Sequence, residues 1–188
     1  MTAASFVHAW TLPHEIDGDL WVALRYQATQ VLRAASARLE AGRPADGPGM
    51  LRGPDGLGLP HVTTECIAFN GSTFRGEAGE PFFLERFSTT GIVMRPGAPT
   101  VGRAVRRCDT RGQPYDLAVC ALLLLARRHL GDAMRLGSSS DLRGGWRAAA
   151  DVLREATGEA GELVQNAQGL ISWDAGQPVR QTRARNSA

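Results

Sequence analysis

The residues best suited to chemistry are arginines concentrated in one segment. Between residues 95 and 114 the chain contains a single acid, Asp109, and five arginines. These arginines are Arg95, Arg103, Arg106, Arg107 and Arg111. A guanidinium stays charged at any working pH and can bind phosphate or carboxylate through two parallel hydrogen bonds. The segment therefore predicts an anion-binding site, for a nucleic acid or an acidic protein surface, although a solvated edge strand that resists aggregation is the simpler alternative.

The charge of the chain is uneven, although its net value is only +2. Residues 95–147 contain 10 arginines and 4 acids, whereas each of the other parts of the chain contains more acids than arginines. All 21 basic residues are arginine, which excludes a Schiff-base lysine, a Walker lysine and a lysine general base. We expect one electropositive surface made of Arg103, Arg106, Arg107 and Arg111 together with Arg95 or Arg128.

Strand geometry limits how many of these arginines can point the same way. Residues 102–109 have the composition of a strand, in which successive side chains face opposite sides. Arg106 would then face away from Arg103 and Arg107, so loop residues have to complete any patch. Aromatic rings, on which single-stranded nucleic acids stack, do not interleave with these arginines, and the nearest ring is that of Tyr115.

A second group of reactive residues lies in "HVTTECIAFNG" (61–71), which is rich in β-branched residues. In a single strand His61, Thr63 and Glu65 share one face, and Cys66 lies on the other. His61 and Glu65 are therefore the candidates for a small catalytic site beside this strand. A half-buried histidine next to a surface glutamate explains the same pattern without any chemistry.

A cysteine–histidine nucleophile would need a histidine from elsewhere in the chain. The other histidines are His8, His14 and His129. A metal site formed by His8, His61 and Glu65 is conceivable only where the first strand lies beside the 61–71 strand. No spacing typical of a metal site accompanies these residues, so the sequence predicts none.

Motifs that would announce a cofactor or a known mechanism are missing from the sequence. The three cysteines, Cys66, Cys108 and Cys120, are widely spaced and form no CxxC pair, which disfavours a disulfide framework or a zinc knuckle. Neither GxGxxG, a P-loop, HExxH nor GxSxG occurs, and we expect no cofactor. The serines of "LGSSSD" (136–141) precede a predicted helix, where they could bind phosphate or merely cap the helix.

The longest apolar run, Leu117–Ala126, lies in "PYDLAVCALLLLARRHLGD" (114–132). A membrane span needs about 20 apolar residues, so this ten-residue run predicts a buried core helix and no membrane association. Cys120 within it is expected to be a small core residue. The amino-terminal sequence does not resemble a signal peptide, and together with the odd cysteine count this favours a cytoplasmic location.

Periodicity along the chain predicts the order β-α-β-β-(β)-α-β-α and an α+β fold with a mostly antiparallel sheet of about four to five strands and three helices. The predicted helices are 17–40, 114–131 and 141–158, and the predicted strands are 5–13, 61–71, 81–87, 102–109 and 132–138. We expect one domain over residues 1–160, a flexible Gly/Pro-rich loop at 42–60, and an extension over 161–188 whose last ten residues are disordered.

These observations favour a non-catalytic cytoplasmic binding module that engages an anionic partner through its arginine-rich segment. Two alternatives stay open at this point. One is a small enzyme with a histidine/glutamate site near the 61–71 strand, and the other is a structural or assembly subunit that packs through its sheet edge.

Overall fold

The computed structural model describes residues 6–41, 51–88, 92–95, 98–101, 104–140 and 142–174, with the backbone alone at 92–95, 98–101 and 143–144. The strands in chain order are β1 (Val7–Leu12), β2 (Leu51–Arg52), β3 (His61–Val62), β4 (Cys66–Gly71), β5 (Phe82–Glu85), β6 (Ile92–Arg95), β7 (Ala98–Val101), β8 (Ala104–Asp109), β9 (Arg135–Ser138), β10 (Glu162–Gln165) and β11 (Ile171–Asp174). The helices are α1 (Gly18–Glu40), α2 (Asp116–Leu130) and α3 (Arg147–Thr157). Three helices with antiparallel strand pairs confirm the predicted α+β class, and the strands form several small sheets.

The sheet that organises the molecule has the order β8-β1-β9, with β1 antiparallel to both neighbours. On β1 the side chains of His8, Trp10 and Leu12 are buried, whereas Ala9 between them is exposed. One face of this sheet therefore belongs to the core, and the other is open. The predicted first strand is confirmed over Val7–Leu12.

Helix α1 begins where its sequence predicts. The Asp17 carboxylate accepts hydrogen bonds from the backbone N–H groups of Asp19 and Leu20, at 3.0 and 3.2 Å, and so satisfies two of the unpaired donors at the start of the helix. Its apolar stripe is buried against α2 and α3. The stripe consists of Trp21, Leu24, Ala28, Val31, Leu32 and Ala35.

Helix α2 is the central helix, as the apolar run predicts. It packs against both other helices and against β9 and β11. Every residue from Ala118 to Ala126 is buried, which confirms the expected core positions. Among the described residues, no helix combines the length and the apolar character that crossing a membrane would demand.

The predicted strand over 61–71 is wrong in one respect, because a turn interrupts it. The Thr63 hydroxyl accepts hydrogen bonds from the N–H groups of Glu65 and Cys66, at 3.2 and 3.0 Å. The chain therefore folds back, and β3 pairs antiparallel with β4. On its other edge β4 pairs with β5, which confirms the predicted returning strand at 81–87, and with β2.

Within the expected loop over 42–60, residues 53–60 form no helix or strand, but residues 51–52 form the short strand β2 and hydrogen bonds fix the turn that follows it. Leu51 is buried in β2, and the Gly53 N–H donates to the Leu57 carbonyl at 2.7 Å. The buried Asn70 side chain donates to the Pro54 carbonyl at 3.2 Å and ties this turn to the sheet. Composition favoured a loop because it does not show such backbone hydrogen bonds, while residues 42–50 lie outside the described part of the chain.

The chain beyond residue 160, expected as an extension, contributes to the same core as the rest of the described residues. Strands β10 and β11 form a hairpin that packs against α2, and Ile171 and Trp173 join the same buried core as the three helices. The core thus extends past the predicted boundary at residue 160. The predicted disorder of the last ten residues concerns positions outside the described residues.

Candidate functional site

Strand β8 separates the predicted arginine cluster into two sides. Arg106 lies on the same face as the buried Ala104 and Cys108, and its guanidinium pairs with the Glu85 carboxylate of β5 and donates to Ser88 Oγ at 3.3 Å. Arg106 therefore joins two sheets within the molecule. It does not belong to a solvent-facing patch.

Arg107 lies on the opposite, open face and is exposed. Together with Arg111 it lines a shallow groove of about 400 Å³ that also contains Glu80 and Asp109. Both carboxylates accept backbone hydrogen bonds there, Glu80 from the Asp109 N–H at 2.7 Å and Asp109 from the Arg111 N–H at 3.0 Å. The groove thus holds two cations and two anions, with the anions already engaged by N–H donors.

Arg135 on β9 belongs to the same open face, although the sequence analysis does not include it. Register places Arg107 opposite Ala9 of β1, and Arg135 opposite Thr11. Two exposed guanidinium groups therefore flank β1 on either side. The sequence predicts the strand at 132–138 that contains Arg135. It does not show that this strand pairs with β1, and only that pairing places Arg135 on the open face.

Other arginines of the segment are neutralised by acids. Arg127 pairs with Asp132, and Arg128 pairs with Glu159, so Arg128 does not extend the open face. By contrast, Arg107, Arg111 and Arg135 form no ion pair within the part of the chain that the structure describes. The side chains of Arg95 and Arg103 lie outside the described residues.

The histidine/glutamate pair of the 61–71 segment is not assembled into a site. His61 and Glu65 are both exposed, and the turn at 63–65 removes the common strand face that the prediction assumed. Strand β1 pairs with β8 and β9, and β3 pairs with β4, so the condition for a site formed by His8, His61 and Glu65 is not met. His61 pairs across the hairpin with Ala68.

A different histidine forms a buried polar cluster, which we call the His8 cluster: His8, Asp116 and Cys120. His8 Nε2 lies 2.7 Å from Asp116 Oδ1 and 3.8 Å from Cys120 Sγ, and the Cys120 thiol lies 3.7 Å from Asp116 Oδ2. All three residues are buried. Nitrogen, oxygen and sulfur donors thus converge between β1 and the first turn of α2.

Neighbouring hydroxyl groups support the His8 cluster. Thr110 Oγ1 donates to Asp116 Oδ1, and Ser138 Oγ lies 3.0 Å from His8 Nδ1. Ser138 Oγ also lies 2.7 Å from Ser140 Oγ, which accepts the indole N–H of Trp146 at 3.1 Å. Two serines of "LGSSSD", Ser138 directly and Ser140 through Ser138, therefore orient a buried histidine, a role that neither phosphate binding nor capping anticipates.

Burial has a strong electrostatic effect on the thiols of this region. It raises the pKa of the Cys120 thiol well above its usual value, and the neighbouring Asp116 carboxylate raises it further. Burial likewise raises the pKa of Cys108 to about 12, with Glu80 adding to the shift. Without a bound cation, neither thiol is a nucleophile at neutral pH, because the thiolate is the reactive form.

Part of the His8 cluster could have been found in the sequence. Asp116 and Cys120 are four residues apart on a predicted helix and must share a face. His8 lies on the inward side of the predicted first strand. Nothing in the sequence, however, says which strand lies over the first turn of α2, and that juxtaposition creates the cluster.

The fold and the two candidate regions define an α+β protein with a buried His/Asp/Cys cluster beneath one sheet face and exposed arginines on the other. Comparisons of this chain with protein families, with curated proteins and with solved structures found no match.

Proposed function

We propose that this protein is a non-catalytic cytoplasmic binding module that holds an anionic partner on the open face of the β8-β1-β9 sheet. The observation that carries the proposal is the pair of exposed arginines, Arg107 and Arg135, that flank β1 without an ion-pair partner among the described residues. Charged side chains in water that lack an internal partner are available to an external one.

The shape of the open face supports contact with an extended partner. Between the two arginines lie Ala9 and Thr11 of β1, with Gly137 opposite Ala9 on β9, and a Cβ added at Gly137 would meet no atom within 4 Å. Strands lie about 4.8 Å apart and rise about 3.4 Å per residue, so the Cα atoms of Arg107 and Arg135 are separated by about 12 Å. Small residues between two cations leave room for a chain carrying repeated negative charges.

The chemistry of the partner is narrowed by the other residues of this face. Val7, Val105 and Thr11 add no aromatic ring to the described part of the surface, so stacking of unpaired bases has no support there. Phosphates of a nucleic-acid backbone or carboxylates of an acidic protein surface remain as ligands. A reducing compartment agrees with the free thiols of Cys66, Cys108 and Cys120.

The test is a fluorescence-anisotropy titration at low and at physiological salt. The probes are a mixed-sequence DNA duplex, a single-stranded oligonucleotide, heparin and polyglutamate. The test variant is Arg107→Ala/Arg135→Ala. The control, Arg33→Ala/Arg147→Ala, removes the same charge from exposed arginines on α1 and α3.

We expect binding at low salt that weakens as salt rises, with the test variant bound more weakly than the control. For a duplex, loss of two phosphate contacts should lower the salt slope by about 1.8. Preference for polyglutamate over the duplex would identify an acidic protein surface. Absence of binding to every probe at low salt, or equal loss in both variants, would overturn the proposal and favour the structural-subunit alternative.

A further inference from the structure

We infer that the His8 cluster is a binding site for a divalent transition metal of the Zn²⁺ class, with His8 Nε2, the Asp116 carboxylate and Cys120 Sγ as ligands. The inference is independent of the anionic partner, because the cluster lies on the other face of the sheet. The donor atoms all lie within 4.8 Å of one another and belong to buried residues.

The separations between the donor atoms are within about 0.6 Å of those expected around a tetrahedral ion. Zn²⁺ binds nitrogen and oxygen at about 2.0–2.2 Å and sulfur at about 2.3 Å, which places tetrahedral ligands about 3.3–3.6 Å apart. The Cys120 thiol lies 3.8 Å from His8 Nε2 and 3.7 Å from Asp116 Oδ2. The 2.7 Å between His8 Nε2 and Asp116 Oδ1 has to open by about 0.6 Å to reach that range.

The backbone holds these ligands on rigid elements. Asp116 and Cys120 project from the same face of α2 because they are four residues apart. His8 projects from the middle strand of the β8-β1-β9 sheet, whose two neighbours prevent it from shifting. A site built on a helix and a central strand needs little rearrangement to accept an ion.

Each of two ligands has the outer hydrogen bond that metal ligands usually have. Ser138 Oγ lies 3.0 Å from His8 Nδ1 and, as a hydroxyl, can accept from Nδ1–H when Nε2 binds an ion. Thr110 donates to Asp116 Oδ1. Such partners orient ligands and typically change metal affinity about 10–100-fold when removed.

Asp116 is the ligand of the cluster that reaches solvent, and its carboxylate lies beside Gly145. The Asp116 side chain is 12% exposed, whereas His8 is fully buried. A Cβ at position 145 would lie 3.1 Å from Asp116 Oδ2, so glycine there leaves the carboxylate uncovered. Gly145 is exposed and belongs to the π-helical turn Leu142–Trp146. Such turns are frequent at functional sites.

The donor types select the metal class. Thiolate and imidazole favour Zn²⁺ and its neighbours, whereas Mg²⁺ and Ca²⁺ prefer oxygen alone. Three protein ligands leave a fourth position for water. Binding releases the Cys120 thiol proton and requires the His8 tautomer that carries its hydrogen on Nδ1, so that Cys120 Sγ and His8 Nε2 present lone pairs to the ion.

The test uses chelator-treated full-length protein titrated with Co²⁺, whose thiolate charge-transfer band and visible bands report sulfur ligation and tetrahedral geometry. We expect saturation at one ion per chain and displacement by Zn²⁺. Cys120→Ser should abolish the charge-transfer band, whereas Cys66→Ser, a cysteine of another sheet, should retain it. Ser138→Ala should weaken Co²⁺ binding about 10–100-fold.

A second measurement uses the unaltered protein loaded with Zn²⁺, and so does not depend on whether a ligand variant folds. X-ray absorption at the zinc edge should show one sulfur and otherwise nitrogen or oxygen neighbours. Absence of the sulfur neighbour, failure to bind Co²⁺, or a charge-transfer band that survives in folded Cys120→Ser would overturn the site. In that outcome His8, Asp116 and Cys120 form only a buried polar link between β1 and α2.

Discussion

The two faces of the β8-β1-β9 sheet differ in whether their basic side chains are paired with acids. On the inner face, within the described residues, the two basic side chains each meet an acid: His8 contacts Asp116, and Arg106 pairs with Glu85. On the outer face Arg107 and Arg135 are exposed, and neither forms an ion pair with the described residues. Desolvation explains the difference, since a buried charge without a partner costs far more than an exposed one.

Adjacent residues of one strand show this contrast most directly. Arg106 and Arg107 are neighbours in sequence and identical in chemistry, yet one joins β8 to β5 and the other faces solvent. The direction of the side chain, which alternates along a strand, decides between a structural and a binding role. Charge counted along a sequence therefore overstates the charge that a surface presents.

The largest expected effect comes from removing one partner of the inner face. Asp116→Ala leaves His8 Nε2 and the Thr110 hydroxyl without their acceptor, and the free energy of unfolding should fall by about 3–5 kcal/mol. Urea denaturation measures the loss. Asp132→Ala, which removes an exposed acid at the other end of α2, should cost at most about 1 kcal/mol. If Asp116→Ala and Asp132→Ala lowered the free energy of unfolding equally, the buried and the exposed acid would not differ as proposed.

Truncation of a core side chain on α2 shows how much stability is lost when only apolar packing is removed, for comparison with Asp116→Ala. Leu122→Ala should lower the free energy of unfolding by about 2–5 kcal/mol, because the side chain is buried and the cavity cannot fully close. The exposed aliphatic control is Val22→Ala on α1. Thermal and urea unfolding should rank the two variants in this order, and a reversed order would contradict the assigned core.

Removing a single hydroxyl from the inner face should have a smaller effect. Thr110→Val keeps the shape of the side chain but deletes the donor to Asp116, which should cost about 1–3 kcal/mol. Chemical denaturation detects a change of this size. A loss below about 0.5 kcal/mol would mean that water replaces the hydroxyl, and that the carboxylate is less enclosed than its burial suggests.

Substitutions on the outer face should hardly change the free energy of unfolding. Arg107→Ala/Arg135→Ala removes two exposed side chains without a described ion pair, so the free energy of unfolding should change by less than about 0.5 kcal/mol per position. The same double variant should still weaken anion binding. A large loss of stability would show that these arginines maintain the fold, and would remove the contrast between the faces.

The smallest expected effect is the pH dependence of stability that comes from His129. This residue is half-buried at the end of α2. Burial lowers its pKa below the ordinary 6.5, and the Arg128 charge lowers it further. Because the unfolded chain binds the proton more readily, the stabilising contribution is present above pH 6.5 and is lost as pH falls through the folded pKa. Unfolding midpoints between pH 7.5 and about 5 should fall less in His129→Gln than in the unaltered protein. Identical profiles would contradict this assignment.

Local pattern was enough to predict the helices and the central core. The Asp17 cap, the α1 stripe and the apolar run of α2 act within a few residues of one another, so periodicity and length reveal them. Strands β1, β5, β8 and β9 were predicted for the same reason. The turn at 63–65 was missed because it depends on a Thr63 side-chain hydrogen bond to the backbone, which alternation does not report.

What the sequence determined by itself is the class of fold, the buried helix and the excess of arginine in residues 95–147. Only the tertiary structure decided which of those arginines face solvent, and that His8 meets Asp116 and Cys120 across 108 and 112 residues. The physical reason is that strand pairing and helix docking set contacts between distant residues. Register, which the sequence does not state, then assigns each side chain to the core or to water.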